Sequence, residues 1–187
     1  MPIAAGLPHA QAFLDAVNDA LEEFVGRDRE LLEHGAHELA HVHRFGVYVE
    51  RRLRDELAAG QLTVDLDYDR DGLFAKETCF DPPLRSKTDE DGISRFRPDL
   101  IIHRRGREGP NVLVLEWKKH ARPDAITRLQ QRVEHIMRTF QYTLGVIVNS
   151  YEDHVEWCAI HNEGDPLVWC AIRCPDADDG RSVADVG

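Results

Sequence analysis

The chain has 187 residues, of which 42% are hydrophobic and 30% charged, and its net charge at pH 7 is −11. This length and apolar content indicate one globular domain, over residues 1–174, that is long enough to bury a core. No stretch approaches a membrane span and the N-terminus lacks a basic region followed by an apolar one, so we expect a cytoplasmic protein with no membrane partner.

Two helices are predicted in the N-terminal third of the chain. Residues 9–25 repeat apolar side chains at helical spacing, which favours an amphipathic helix. A second helix is predicted over residues 31–59, which contain no proline and lead into the stop signal Ala58-Ala59-Gly60. Glu38 falls on the apolar stripe of this helix, and a glutamate directed at a core needs a specific reason. The stripe itself consists of Val42, Phe45, Val49 and Leu53.

Residues 61–70 alternate apolar and acidic side chains and predict a half-exposed strand. Its inward residues would be Leu62, Val64, Leu66 and Tyr68, and its outward residues Asp65, Asp67 and Asp69. Residues 71–96 contain Asp81-Pro82-Pro83 and an acidic run, and they predict a loop.

Two short apolar strands follow, and each carries charged residues. The first, residues 97–102, contains Asp99, and the second, residues 113–118, contains Glu116 and Lys118. The turn-forming residues between them predict a hairpin. Because side chains alternate along a strand, Glu116 and Lys118 project from the same face. Acids and an ammonium group beside a core are unfavourable unless they are paired or bind a metal.

The order Pro-Asp, a gap and then Glu-x-Lys resembles the PD-(D/E)XK, or restriction-endonuclease-like, nuclease superfamily. The resemblance covers about residues 36–150. It implies a metal-dependent nuclease that hydrolyses phosphodiester bonds of DNA, with RNA also open as substrate. Mg²⁺ is the implied cofactor, with Mn²⁺ able to substitute.

The resemblance also implies the roles of individual residues. Asp99 and Glu116 would hold the metal with the backbone carbonyl of Trp117, and oxygen ligands suit such a hard cation. Glu38, on a helix similar to the first core helix of the superfamily, would complete the outer shell. Lys118 would steady the attacking water or the developing negative charge.

A helix is predicted to begin at Pro123-Asp124, since proline suits the first helical turn. Strands are then predicted at residues 143–149, 155–161 and 167–172. With the earlier elements, this order predicts an α/β fold in which a central mixed sheet is flanked by helices, as in the restriction-endonuclease-like core. The acidic tail, residues 175–187, is predicted to be disordered. The cysteines lack metal-knuckle spacing, which favours reduced thiols at Cys79, Cys158, Cys170 and Cys174.

The distribution of charge agrees with nucleic-acid binding although the net charge does not. Residues 95–138 contain eleven Lys or Arg against five Asp or Glu, so the segment that holds the candidate site is positive. A solvated arginine-rich face is the alternative. The residues predicted to contact nucleic acid are Arg104, Arg105, Arg107, Lys119, Arg128 and Gln131.

Two other functions compete with the nuclease. A non-catalytic nuclease-fold module could bind nucleic acid or a protein, although such a module would be expected to have lost a motif carboxylate. A zinc peptidase is the third hypothesis, because His37-Glu38-Leu39-Ala40-His41 matches H-E-x-x-H. The chain has Arg44 and Val47 where the extended form of that motif needs glycine and histidine.

A homodimer is predicted for duplex cleavage, because one metal site cuts one strand and two-fold symmetry presents two sites. Its interface would be the apolar stripe of the helix at 9–25 or the C-terminal strands with Trp157, Val168 and Trp169. Capping of the protein's own core by either element is the alternative.

Overall fold

A six-stranded mixed sheet lies at the centre of the fold. The computed structural model of the chain describes residues 10–68, 70–71, 74–75, 77–78, 94–95, 97–106, 109–161 and 168–175. The helices are α1 (Ala10–Arg27), α2 (Arg29–Glu33), α3 (Glu38–Arg52), α4 (Arg54–Gly60) and α5 (Pro123–Phe140). The sheet has the order β1 (Thr63–Leu66), β6 (Leu100–His103), β7 (Asn111–Lys119), β8 (Tyr142–Ser150), β9 (His154–Ile160), β10 (Cys170–Arg173). Two-residue strands pair separately, β2 (Arg70–Asp71) with β3 (Phe74–Ala75) and β4 (Glu77–Thr78) with β5 (Ser94–Arg95). The predicted α/β architecture, a central mixed sheet flanked by helices, is confirmed.

Strands β7 and β8 run parallel, and the other four pairings of the central sheet are antiparallel. Parallel neighbours require a crossover connection, which α5 supplies between them. Residues 112–117 of β7 are all buried, as expected for a strand covered on both faces. This buried central strand carries the Glu-x-Lys sequence.

The sheet separates two apolar cores. Leu113, Leu115 and Trp117 pack with α1 and α3 on one face, whereas Val114 packs with α5 on the other. A Cβ on Gly145 would lie 2.6 Å from the Met137 sulfur, so glycine lets α5 approach β8 closely. The alternation of side chains along β7 therefore places Glu116 on the α5 face of the sheet.

The single helix predicted over residues 31–59 is wrong, because the segment forms α2, α3 and α4. Gly35 interrupts it with a left-handed backbone (φ +62°), a conformation that favours glycine. His37 then caps α3, since its Nδ1 accepts a hydrogen bond from the Leu39 amide at 3.3 Å. The break has a consequence for the site, because it makes Glu38 the first residue of α3.

The predicted outward orientation of Asp65 into solvent is also wrong. Asp65 is only 8% exposed, and its Oδ2 lies 2.8 Å from Nε2 of His103. Arg105 donates to both carboxylate oxygens of Asp65, at 2.9 Å for the Nε contact. Burial by itself would raise the pKa of Asp65, but these hydrogen bonds outweigh burial and lower it. Strand β1 thus carries a buried ionic group at Asp65, while its other three residues are partly exposed.

The apolar stripe of α1 is buried in the protein's own core and does not form an exposed dimer surface. Its residues are at most 8% exposed, namely Phe13, Leu14, Val17, Leu21, Phe24 and Val25. Trp157 is likewise buried, whereas Val168 is 73% exposed. The homodimer stays a prediction. It can be checked by light scattering at tens of micromolar, where a mass of 21.3 kDa, that of one chain, would contradict it.

Several predictions concern residues outside the described ranges, among them Cys79, Arg107, most of the predicted loop at 71–96 and residues 176–187 of the predicted tail. Cys158, Cys170 and Cys174 are free thiols. None of the helices in the described ranges combines the length and the apolar character needed to cross a bilayer.

His41 ties α3 to the sheet through the first core. Its ring is 1% exposed, contacts the Trp117 ring, and places Nε2 3.1 Å from the Leu31 carbonyl oxygen. Its Nδ1 lies 3.4 Å from Oγ of Ser150 on β8. A histidine in this setting is a structural residue of the core.

Replacing His41 with glutamine is expected to reduce the amount of stability that the protein loses as the pH falls. Burial lowers the pKa of His41, so the unfolded chain takes up a proton at a higher pH than the folded protein does. The contribution of His41 is therefore full above about pH 6.5 and declines as the pH falls. Urea unfolding at pH 7.5 and 5.5 should show a smaller decline for His41→Gln than for the wild type. His43→Gln, an exposed change on the same helix, should keep the wild-type decline. An equal decline in all three proteins would contradict the assignment.

Candidate active site

Strand pairing brings the two predicted metal-binding acids together. Leu100 of β6 is opposite Leu115 of β7, so Asp99, which precedes β6, lies beside Glu116 and Trp117. The backbone N–H of Trp117 donates to Oδ2 of Asp99 at 2.7 Å. This bond holds the Asp99 carboxylate against the end of β7.

Helix α3 brings Glu38 to the same place, and Lys118 lies at the centre of the group. The Lys118 Nζ is 2.8 Å from Oε1 of Glu38, 3.4 Å from Oδ2 of Asp99 and 3.8 Å from Oε2 of Glu116. It also donates to the Trp117 carbonyl oxygen at 2.5 Å. The four residues predicted for the metal site, with the predicted lysine, therefore converge from β6, β7 and α3.

Glu116 is the most buried of these acids. Its side chain is 8% exposed, and its Oε1 has no hydrogen-bond partner within the described residues. Burial, with a further contribution from the nearby Asp99 carboxylate, raises the pKa of Glu116 to about 7. A buried carboxylate oxygen with nothing bonded to it is rare unless a ligand or cation completes its environment.

Burial and neighbouring charges also shift the pKa values of Asp99 and Lys118. Burial raises the pKa of Asp99, against the opposing effects of Lys118 and of the Trp117 N–H. Burial by itself would lower the pKa of Lys118, but the Glu116 and Asp99 carboxylates outweigh it and raise the pKa. Lys118 is accordingly an ammonium group at neutral pH.

The donor set fits a hard divalent cation. In the described part of the chain, no three His, Cys, Asp or Glu side chains are gathered closely enough to hold a metal by themselves. Mg²⁺ does not need such a cage, since it is commonly held by one or two carboxylates and keeps several waters. Asp99, Glu116 and the Trp117 carbonyl offer hard oxygens, and the unpaired Oε1 of Glu116 is free to serve as a ligand.

The chain matches no protein-family model and no curated protein. A solved structure described as "Crystal structure of SSO0001" is similar over 91% of this chain and 79% of that one, with 13% identity and a TM-score of 0.27. So low a TM-score supports no conclusion about fold or function.

Most of the residues predicted to contact nucleic acid bind the protein itself. Arg104 donates to the Gly60 carbonyl oxygen at 2.7 and 3.2 Å, and Arg105 pairs with Asp65. Both follow the far end of β6, away from Asp99. Their cations stabilise the edge of the sheet near β1, and the structure does not bring them to the candidate site.

Lys119, predicted as another nucleic-acid contact, stabilises the loop before α3. Its Nζ donates to the carbonyl oxygens of Gly35 and Ala36 at 2.8 and 2.6 Å. Because this loop leads directly into Glu38, Lys119 helps to position that acid.

The α5 residues predicted as weak candidates, Arg128 and Gln131, are exposed, and Arg128 pairs with Asp124 at 2.9 Å. Arg132 was missed, although its charge acts on Glu116 and opposes the rise of its pKa. A signal was available in the sequence, because Arg132 follows Arg128 by one helical turn and adjoins the buried Val133.

The H-E-x-x-H residues are not arranged as a zinc site. His37 precedes α3 as its N-cap, whereas His41 is buried against the rings of Phe24 and Trp117. Glu38 pairs with Lys118 between them. The two histidines therefore do not form the exposed pair, one turn apart on a helix, that the peptidase motif requires.

Proposed function

We propose that this protein is a metal-dependent phosphodiesterase that cleaves DNA through a site similar to that of PD-(D/E)XK nucleases. The observation that supports it most is the convergence of Glu38, Asp99, the Trp117 carbonyl and Glu116 around the Lys118 ammonium. Concentrating carboxylates in a partly buried site is unfavourable for stability, which favours a catalytic explanation for them.

Asp99, Glu116 and the Trp117 carbonyl would hold Mg²⁺, or Mn²⁺ in its place, with Glu38 in the outer shell. When bound, such a cation would offset charge on the scissile phosphate and make a coordinated water more acidic. Ionised Asp99 and Glu116 together balance its two positive charges. The N–H of Trp117 orients the Asp99 carboxylate for this role before any cation arrives.

Lys118 is the residue that faces the substrate. Its side chain is 36% exposed, the most of the four side chains in the group, so a phosphate oxygen or a water can reach the ammonium. There it would orient the attacking water and stabilise negative charge that develops on the phosphate. DNA is the substrate that the resemblance to this superfamily implies.

A cleavage assay on duplex, single-stranded and branched DNA and on RNA tests the proposal. Cleavage is expected with Mg²⁺ or Mn²⁺ and should be abolished by EDTA. Asp99→Asn should remove both cleavage and the Mg²⁺ binding seen by calorimetry, because it removes a ligand charge. Asp124→Asn, which changes an exposed acid paired with Arg128, is the matched control and should behave as wild type.

The alternatives give different results in the same experiments. A wild-type protein that binds nucleic acid without cutting any form under these conditions would be the non-catalytic module. Wild-type cleavage rates in Asp99→Asn would refute the assigned site. Stoichiometric zinc that disappears in His37→Ala and His41→Ala would restore the peptidase hypothesis.

A further inference from the structure

The Lys118 ammonium lies where a divalent cation would have to bind. Every oxygen-bearing group assigned to the metal site is within 3.8 Å of its Nζ: Glu38, Asp99, the Trp117 carbonyl and Glu116. The shortest of these contacts, 2.5 Å to the Trp117 carbonyl oxygen, involves an atom that is itself one of the assigned ligands.

An ammonium group in this position and a divalent cation exclude each other. Mg²⁺ requires ligand oxygens at about 2.0–2.1 Å, so it would have to lie against Asp99, Glu116 and the Trp117 carbonyl, the groups that Nζ now contacts. Two cations at such close range repel strongly in a site as shielded from water as that of Glu116. One of them has to leave.

We propose that Lys118 is the internal counter-ion of the metal-free site and that a divalent cation binds only by displacing its ammonium from the carboxylates. This rests on the proposed function and adds a competition between lysine and metal to it. The four-carbon stem of lysine is flexible, so the ammonium can move while β7 stays in place. The 36% exposure of the side chain leaves it a route toward solvent.

Displacement would also prepare the lysine for its role with the substrate. In the metal-free state its donors are committed to Glu38, Asp99 and the Trp117 carbonyl. Once these bonds are broken, the ammonium can donate to a phosphate oxygen or to the attacking water. Cation binding and release of Lys118 are then a single step. In that step Glu38 exchanges the Lys118 ammonium for a place in the outer shell of the cation.

The test measures cation affinity without DNA, by calorimetry with Mg²⁺ and with Ca²⁺. A cation that must displace Lys118 binds with an affinity reduced by the fraction of protein in the displaced state. Lys118→Met and Lys118→Gln remove the competitor, so both should bind the cation about tenfold or more tightly than wild type if the displaced state is about one tenth populated. Both variants should nevertheless lose cleavage, because the same ammonium serves the substrate.

Arg128→Met is the control. It removes one positive charge from α5, and Arg128 pairs with the exposed Asp124 and not with the carboxylates of the site. Its cation affinity should stay within about twofold of the wild type, because an exposed charge outside the cluster is well screened. A control that gained as much affinity as the Lys118 variants would overturn the proposal by showing a general charge effect.

Thermal unfolding gives a second readout. Without metal, the Lys118 variants should be less stable than wild type, and Ca²⁺ should raise their melting temperature by more than it raises that of the wild type. Unchanged or weaker cation affinity in both Lys118 variants would overturn the displacement. If the wild type still required Mg²⁺ for cleavage and lost Mg²⁺ binding in Asp99→Asn, the nuclease proposal would survive that outcome. Absence of cation binding and of cleavage in the wild type would instead refute the nuclease itself.

Discussion

Replacing Glu116 with glutamine is expected to lower DNA cleavage by about a thousandfold or more while making the metal-free protein more stable at pH 8. The loss of activity follows from removing a charged ligand of the proposed metal site, whose contribution of several kcal/mol to the transition state corresponds to such a factor. The gain in stability follows from burial, since the amide is neutral at every pH. A substitution that lowers activity and raises stability identifies a residue that is present for function at a cost to the stability of the fold.

Glu116→Gln is expected to increase stability because the pKa of Glu116 is raised in the folded protein. With a pKa of about 7 in place of the usual 4.5, folded Glu116 holds a proton that the unfolded chain has already released. The wild-type protein therefore loses stability as the pH rises from about 4.5 through about 7, by up to about 3 kcal/mol. Glu116→Gln lacks this loss, so its advantage should be absent near pH 4.5 and largest above pH 7.

Urea unfolding in EDTA at pH 5 and pH 8 measures the stability effect, and single-turnover cleavage in Mg²⁺ measures the chemistry. Glu50→Gln is a suitable control, because Glu50 is an exposed acid on α3. It should leave both measurements close to wild type. Glutamine at position 116 that destabilised the protein at pH 8 would show that the Glu116 carboxylate supports the fold, contrary to the expectation.

The arrangement of Asp99, Glu116 and Lys118 was predictable because it depends on local information. Each residue belongs to a short apolar strand, strands alternate their faces, and a turn-rich gap predicts antiparallel pairing. Glu38 was predictable for a similar reason, since its place on an apolar helical stripe directs it inward. Pairing within the β6–β7 hairpin and the direction of α3 were enough to bring these side chains together.

What the sequence did not indicate depends on distant contacts. The ionic partners of Asp65 are 38 and 40 positions away, so alternation along β1 gave no sign that this one aspartate is buried. Arg104, Arg105 and Lys119 looked like a phosphate-binding series because their charges are close in sequence. Their acceptors are 40 to 84 positions away, and only the fold shows that these cations are already engaged.

The break between α2 and α3 was missed for a different reason. Gly35 was the local signal, but a single glycine within a predicted helix is compatible with a continuous helix. The continuous apolar stripe over residues 42–53 favoured one long element. Packing of α2 against α1 and α3 decides the outcome, and such packing overrides propensity.

Replacing Asp65 with alanine is expected to destabilise the protein by about 3 kcal/mol, the largest loss of stability predicted for a residue outside the candidate active site. Asp65 is the acceptor that His103 and Arg105 share, and removing it leaves the buried imidazole of His103 without its carboxylate. Because the pKa of Asp65 is lowered in the folded state, this contribution is present at neutral pH and declines only in acid, below about 3.8.

Arg105→Met separates a structural role of this ion pair from nucleic-acid binding. The Arg105 side chain is 61% exposed, so its pairing should contribute about 1 kcal/mol or less. In urea unfolding at pH 7, the free energy of unfolding of Asp65→Ala should therefore be well below that of Arg105→Met. That of Asp65→Asn should lie between them. DNA affinity at fixed salt should change less than about twofold in Arg105→Met, since its guanidinium is held by Asp65 in the free protein. A large loss of DNA affinity with unchanged stability would instead return Arg105 to the binding surface that its sequence neighbourhood predicted.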